Sequence, residues 1–174
     1  VKETVLATRL SSLQLENAEV RSNSAVAGRG LFATKDMVQG QLITCYPGDA
    51  VIYQPTGEVK FGSHVSPNLA DPDRCFGELV DYGLWHNEDF VLIGLPELSQ
   101  DPAYVGHVAN DGTLNWPYQT VEEYLEDSMK NQNAVIDQVD NLHRVLIATK
   151  DIRAGEEIFV TYGGDYWLCH DDRR

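Results

Sequence analysis

Tyr162 closes a β-branched run, Ile158 to Thr161, and Gly163-Gly164 follow it at once. A strand that delivers a tyrosine onto a double-glycine bend puts a phenol where a ligand can approach the backbone closely. Tyr46 stands at a similar strand-to-turn junction, ahead of Pro47-Gly48. Gly28-Arg29-Gly30 forms a third candidate, because two close glycines leave backbone N–H groups open to a ligand carboxylate or phosphate. Asn110 lies in a stretch dense in turn formers, 102–115, and precedes Asp111-Gly112. Each has a plainer explanation by residue type alone: a core tyrosine with a satisfied hydroxyl, a Tyr-Pro-Gly turn, a turn asparagine.

Other chemistries find less support. The five histidines (His64, His86, His107, His143, His170) show no metal-ligand spacing, so no metal site is expected. Cys45, Cys75 and Cys169 are odd in number and far apart, and none forms a C-x-x-C pair. That usage suits a reducing compartment without a disulfide framework.

The elements that must hold the tyrosines are written twice. LFATKDMVQGQLITCYPG, Leu31 to Gly48, aligns at a constant offset on LIATKDIRAGEEIFVTYG, Leu146 to Gly163. Leu31, Ala33, Thr34, Lys35, Asp36, Gly40, Ile43 and Gly48 recur identically in the later copy. Two copies are too few for a solenoid. The pattern predicts one domain containing two β-turn-β units, with Gly155 taking a positive φ at the second turn. The tyrosines fall out of register by one place.

Around this frame, Leu6, Leu10, Leu13 and Leu15 give 5–17 a loose helical periodicity. Val20 to Phe32 reads as extended chain bent at Gly28-Arg29-Gly30. Residues 48–89 are broken by Pro-Gly, Thr-Gly, Pro-Asn and Asp-Pro steps, which predicts a loop-rich insert with room for one short strand. Phe90 to Leu95 reads as a buried strand. Thr120 and Glu123 form a capping box opening a helix over 119–131, with Val121, Tyr124, Leu125, Ser128 and Met129 inward and acidic residues outward. Strand returns at Asn133 to Ile136, and Asp140-Asn141 marks a hairpin turn. Short strands outnumber helices, so the expected fold class is α+β, mostly β, with several small sheets.

The chain has 174 residues, 43% of them hydrophobic, and a formal net charge of -14. That length gives one domain with a sizeable core. No apolar run suggests a membrane span or a secretory signal. Beginning on Val1 rather than Met, the sequence reads as an excised or processed piece. An acidic field excludes non-specific nucleic-acid binding and favours a cationic protein partner.

Taken together, GRGLFATKDMVQGQLITCYPG, GHVANDG, NAVI and GEEIFVTYGGDYW resemble the SET-domain protein lysine methyltransferases, in that family's order and across nearly the whole chain. The resemblance implies a SET-domain fold over 20–167 with a pseudoknot-like C-terminal crossing. It also implies a flank over 1–19, a tail over 168–174, a loop-rich insert about 49–89 and a helical insertion about 116–132. The implied activity is methyl transfer from S-adenosylmethionine to a lysine of a basic, histone-like protein segment, in the nucleus or cytoplasm. Gly28, Arg29 and Gly30 match the motif against the methionine part of the cofactor. Asn110 matches the asparagine of the family's Asn-His pair, and Asp111 stands where the histidine would. The resemblance implies a main-chain contact to adenine that the replacement by Asp111 can retain, and a side-chain bond bracing the crossing that it changes. His107 is positioned to line the cofactor pocket and Trp167, or Tyr166, to cover it. Tyr162 and Tyr46 match the tyrosines walling the channel through which lysine meets the methyl group. No metal or covalent nucleophile is required.

Four departures stand out. Asp111 replaces a histidine, which motivates an alternative reading: a SET-like interaction module without catalysis. Asn133, rather than Asn115, fills the place of the second conserved-motif asparagine, across the helical insertion. The zinc-binding cysteines that often flank the domain are absent. Ile136 holds a channel position that is often aromatic in the family, which bears on how many methyl groups are transferred.

Overall fold

Leu31 to Gly48 and Leu146 to Gly163 lie against each other in the computed structural model, which describes residues 9–10, 12–26, 28–114, 118–139 and 143–166. Met37 and Ile152 form an antiparallel bridge, each N–H donating to the other's carbonyl at 2.8 and 2.9 Å. The bonds around this bridge come in equivalent pairs. Gly155 N–H donates to Ala33 O and Gly40 N–H to Ala148 O, both at 2.8 Å. Ala33 N–H reaches Glu156 O at 2.9 Å, and Ala148 N–H reaches Gln41 O at 3.0 Å. Asp36 Oδ1 accepts from Ala154 N–H at 2.8 Å, while Asp151 Oδ1 accepts from Gln39 N–H at 3.0 Å. Each aspartate therefore holds the turn of the other copy, and the copies are related by an approximate local twofold.

Burial follows the same symmetry. Leu31 and Leu146, Met37 and Ile152, and Ile43 and Ile158 occupy equivalent repeat positions, and all six are in the main core. Full burial of one such side chain contributes roughly 1.5–3 kcal/mol. Gly40 and Gly155 sit at φ +85° and +83°, the left-handed region where other residues are strained, so both turns require glycine.

Among the described residues the strands form four small sheets. β1 (Ala18–Arg21) pairs antiparallel with β2 (Gly30–Ala33). β3 (Leu42–Cys45), β10 (Arg144–Ala148) and β9 (Ala134–Gln138) form an antiparallel sheet in that order. β8 (Asn110–Asp111) runs parallel to β11 (Phe159–Val160). The fourth sheet, in the order β5-β4-β7-β6, takes β4 (Ala50–Tyr53), β5 (Glu58–Phe61), β6 (Gly83–Trp85) and β7 (Phe90–Ile93). Helices α1 (Pro72–Phe76) and α2 (Val121–Asn131) accompany the strands in the α+β, mostly β architecture that the sequence predicts. Among the described residues, no helix is long and apolar enough to cross a membrane.

Three local expectations need correcting. Residues 48–89 are rich in loop, as expected, but they hold more than one short strand: they contribute β4, β5 and β6 as well as α1, and Ala50, Ile52, Cys75 and Leu79 share a core with Val91 and Ile93 of β7. Strands of three or four residues leave little periodicity, and β4 gains its stability from pairing with β7. The N-terminal helix is absent where it can be judged. Leu13 and Leu15 are partly buried between exposed Gln14 and Glu16, a strand-like alternation, and pack on Cys45, Ala103, Tyr104 and Val145; residues 1–8 and 11 lie outside the described residues. Met129 of α2 faces outward with 64% exposure, and the buried positions are Tyr124 and Ser128. Thr120 caps α2 as predicted, accepting from Glu123 N–H at 3.2 Å, but Glu123 answers to Gln119 N–H instead of the cap residue. Asn115, the Asp140-Asn141 turn, Trp167, Cys169 and His170 lie outside the described residues.

Asp49 joins the early chain to the fourth sheet. Its carboxylate, fully buried, accepts from Arg9 Nε and Nη2 at 3.0 and 3.1 Å, Leu95 N–H at 2.8 Å, and contacts His64 Nε2 at 2.8 Å. A buried charge is tolerated when its lone pairs are all engaged in this way.

Candidate active site

The site is built from the two repeat ends and the segment between them. Asn110 enters on β8, whose parallel pairing with β11 places it beside Glu157 and the Gly28–Gly30 bend. Asn110 Nδ2 donates to Arg29 O and Ser24 Oγ, both at 2.8 Å, and to Glu157 Oε1 at 3.2 Å. Glu157 in turn accepts from Ser24 Oγ at 2.5 Å and Ala25 N–H at 2.9 Å. Gly28 bends the chain at φ +50°. Gly30 lies behind the bend, where an added Cβ would come within 2.2 Å of Glu157 Oε1. Asn110 and Glu157 therefore fix the bend from opposite sides.

This bend forms one wall of a cleft of about 690 Å³, lined also by Tyr82, His107, Asn110, Asp111, Tyr162 and Tyr166. Its size falls within the range for a small-molecule or cofactor site. A narrower cavity of about 90 Å³ shares Asp81, His107, Tyr162 and Tyr166 with it and adds Tyr46, Leu84, Gly106, Ile136 and Val160. The structure thus brings Gly28, Arg29, His107, Asn110, Asp111 and Tyr162 to one cleft, and puts Tyr46 and Ile136 on the narrower space beside it.

Both tyrosine hydroxyls are already committed as donors. Tyr162 Oη donates to Ala109 O at 2.9 Å, and Tyr46 Oη donates to Tyr82 O at 2.7 Å. A phenol has one proton to give, so each oxygen can offer only lone pairs to what enters the channel. Burial raises both phenols well above their ordinary range, and the neighbouring tyrosines and acidic groups add to the shift. They therefore stay neutral. Tyr162 is 37% exposed as a residue, but its hydroxyl end is packed against the Ala109 carbonyl and the other tyrosines. Its amide donates to Asp111 Oδ2 at 2.7 Å.

Asp111 is buried, and Tyr124 Oη also donates to its Oδ2, at 2.6 Å. Its Oδ1 is buried without a hydrogen-bond partner, and the residue lines the large cleft. Asn133 clasps the strand leading to Tyr162: its Nδ2 donates to Glu157 O and its Oδ1 accepts from Phe159 N–H, both at 2.8 Å.

His107 sits where the two cavities meet. Gly94 admits it, since a Cβ there would lie 2.5 Å from that of His107. Desolvation by burial lowers its pKa from 6.5 to about 4. Above about pH 6.5 the site is neutral both folded and unfolded. As pH falls toward 4, the unfolded chain takes up a proton that the folded chain refuses, so stability drops. The full loss is about 3 kcal/mol. Urea titrations from pH 4 to 7 should show this slope in the native protein, and His107→Gln should lack that part of it.

Glu157, Ser24, Tyr82 and Tyr124 are the residues that sequence reasoning missed. Glu157 lay within a recognised motif but reads as an ordinary turn-side acid. Ser24 and Tyr82 carry no local signal, and Tyr124 reads as the buried face of a helix.

A family model described as "SET domain" matches residues 28–163. No curated protein sequence matches the chain. Among solved structures, that of a Plasmodium falciparum protein, described as a candidate histone methyltransferase, aligns with a TM-score of 0.47 at 16% identity, covering 89% of this chain and 99% of that one. A likeness at that score carries no functional weight.

Proposed function

This chain belongs to the SET-domain family, and on that premise we propose that it is an S-adenosylmethionine-dependent protein lysine N-methyltransferase acting on a basic protein segment such as a histone tail. The observation that carries the reading is the meeting of a broad cleft and a narrow tyrosine-lined cavity at Tyr162.

The cleft's residues fit the cofactor. Arg29 is the cation for a carboxylate, the bend of Gly28 to Gly30 brings backbone close to a ligand, and Asp111 Oδ1 is a buried acceptor in want of a donor. Gly28, Arg29, Asn110, Asp111 and His107 would hold it, with Tyr166 or Trp167 as cover. When bound, S-adenosylmethionine supplies a sulfonium-activated methyl group for in-line transfer.

The chain's own part is alignment and desolvation. Leu84, Ile136, Val160 and the tyrosine rings make most of the narrow cavity's lining apolar, with Asp81, His107 and Thr161 also on it. Such surroundings disfavour an ammonium and lower the pKa of an entering amine, which must be neutral to attack. Tyr162 and Tyr46 present lone pairs, which can accept from an amine N–H or from polarised methyl C–H groups, the latter weakly. Their raised pKa values exclude a phenolate base at neutral pH. The net charge of -14 favours encounter with a cationic substrate.

Calorimetric titration with S-adenosylmethionine, then mass spectrometry of mixed histones, tests the reading. Saturable binding and a lysine that gains a methyl group are expected. Binding without transfer to any basic protein would remove the enzymatic assignment. Absence of cofactor binding together with a tight protein complex would favour the interaction-module reading, which Asp111 motivates.

A further inference from the structure

The carboxylate of Asp111 does two jobs with one oxygen. Oδ2 accepts from the amide of Tyr162 and from the hydroxyl of Tyr124, at 2.7 and 2.6 Å. Tyr124 is 2% exposed and belongs to α2, the helix inserted between β8 and β9. The helix is fastened to the same place by other means. Ser128 Oγ donates to Thr161 Oγ1 at 3.0 Å, immediately before Tyr162. Asn131 Nδ2 donates to Gly112 O at 2.8 Å, and Gly112 N–H donates to Val160 O at 3.1 Å. A Cβ at Gly112 would fall 2.7 Å from Ser128 O, and one at Gly164 would fall 2.8 Å from Val121 Cγ1. The helix thus contacts the chain on both sides of Tyr162.

We propose that α2 is a positioning element for Tyr162, acting through the Tyr124–Asp111–Tyr162 amide link; this rests on the reading of Tyr162 as a wall of the methyl-transfer channel. Tyr162 leaves β11 and enters a turn with Gly163 at φ +89°, where no strand pairing holds it. Its ring direction is set by two anchors, its hydroxyl on Ala109 O and its amide on Asp111. The second anchor is only as rigid as the carboxylate. Tyr124 holds that carboxylate from the helix side, because a buried acceptor with two donors has little freedom to rotate. Neither touches a reacting atom in this scheme. Tyr124 acts only through the placement of Tyr162, and Asp111 does so through Oδ2.

The link predicts a particular split in kinetics. Tyr124→Phe keeps the ring in the core and removes the hydroxyl. Tyr162 N–H exchange with solvent, followed by NMR without cofactor or substrate, should quicken about tenfold or more, while amides within α2 keep their protection. Turnover should fall about tenfold, with peptide KM and cofactor affinity within about twofold of native. Asp111→Asn preserves an accepting oxygen and should restore protection at Tyr162 to within about threefold of native, whereas Asp111→Ala should lose it. Met129→Gln, on the exposed face of α2, should change neither quantity. Native exchange and turnover in Tyr124→Phe would overturn the proposal. So would a loss of cofactor affinity in step with turnover, since that marks general loosening. If the native protein transfers no methyl group, the functional reading fails, and the exchange rate of the Tyr162 amide still decides the link.

Discussion

Tyr162→Phe is expected to lower turnover about a hundredfold while S-adenosylmethionine affinity stays within about twofold. The substitution removes one oxygen from the point where the broad cleft and the narrow cavity meet. That oxygen, having given its proton to Ala109 O, faces the channel as an acceptor. An acceptor placed where positive character is carried toward the amine stabilises the transition state more than the ground state, so the loss falls on kcat. The ring remains to fill the wall. Ala109 O loses a donor, which costs about 1 kcal/mol of stability and leaves the fold intact. Calorimetry for the cofactor, single-turnover transfer and a urea titration separate the three effects. Native turnover would remove the Tyr162 hydroxyl from the mechanism.

Asn110→Ala should produce the opposite profile: cofactor affinity at least about tenfold weaker and folding stability lower by about 2–3 kcal/mol. Three acceptors share the two hydrogens of Asn110 Nδ2: Arg29 O, Ser24 Oγ and Glu157 Oε1. Losing them frees the Gly28–Gly30 bend from β8, so the cleft wall must be ordered by the ligand at the ligand's expense. Asn110→Asp should be worse than alanine, because it sets a second carboxylate against Glu157. Calorimetry and chemical denaturation of the two variants check the rank order, and equal cofactor affinity in all three proteins would refute it.

Legibility of the sequence followed locality. The repeat, the glycines of its turns and the cap of α2 are written in neighbouring residues, and the structure uses them as the pattern implies. The four-stranded sheet was hidden, because β4 to β6 are three or four residues long and are stabilised by partners distant in the chain. At the site, the motif residues of the two repeat ends could be named, whereas the destination of the Asp111 side chain could not. Its partner Tyr124 belongs to an inserted helix, and no spacing rule connects an insertion to the strand it braces. Glu157 shows the same limit: its role depends on Ser24 and Ala25, which lie at the far end of the sequence.

The twofold exchange of turns between the repeats also sets the order in which the protein can be made. Met37 has no partner until Ile152 exists, and Asp36 has no turn to hold until Ala154 follows. Until the second repeat is present, Leu31, Met37 and Ile43 lack Leu146, Ile152 and Ile158, which share their core. Closing so long a loop before any reward is gained slows folding. The cleft and the narrow cavity are completed late, because the run that bridges the first repeat at Met37, Leu31 and Phe32 leads directly into β11 and Tyr162. A truncation that ends before the second repeat keeps Gly28, Arg29, Asn110 and Asp111 but removes Tyr162 and Tyr166 from the cleft, and with them the Met37–Ile152 bridge.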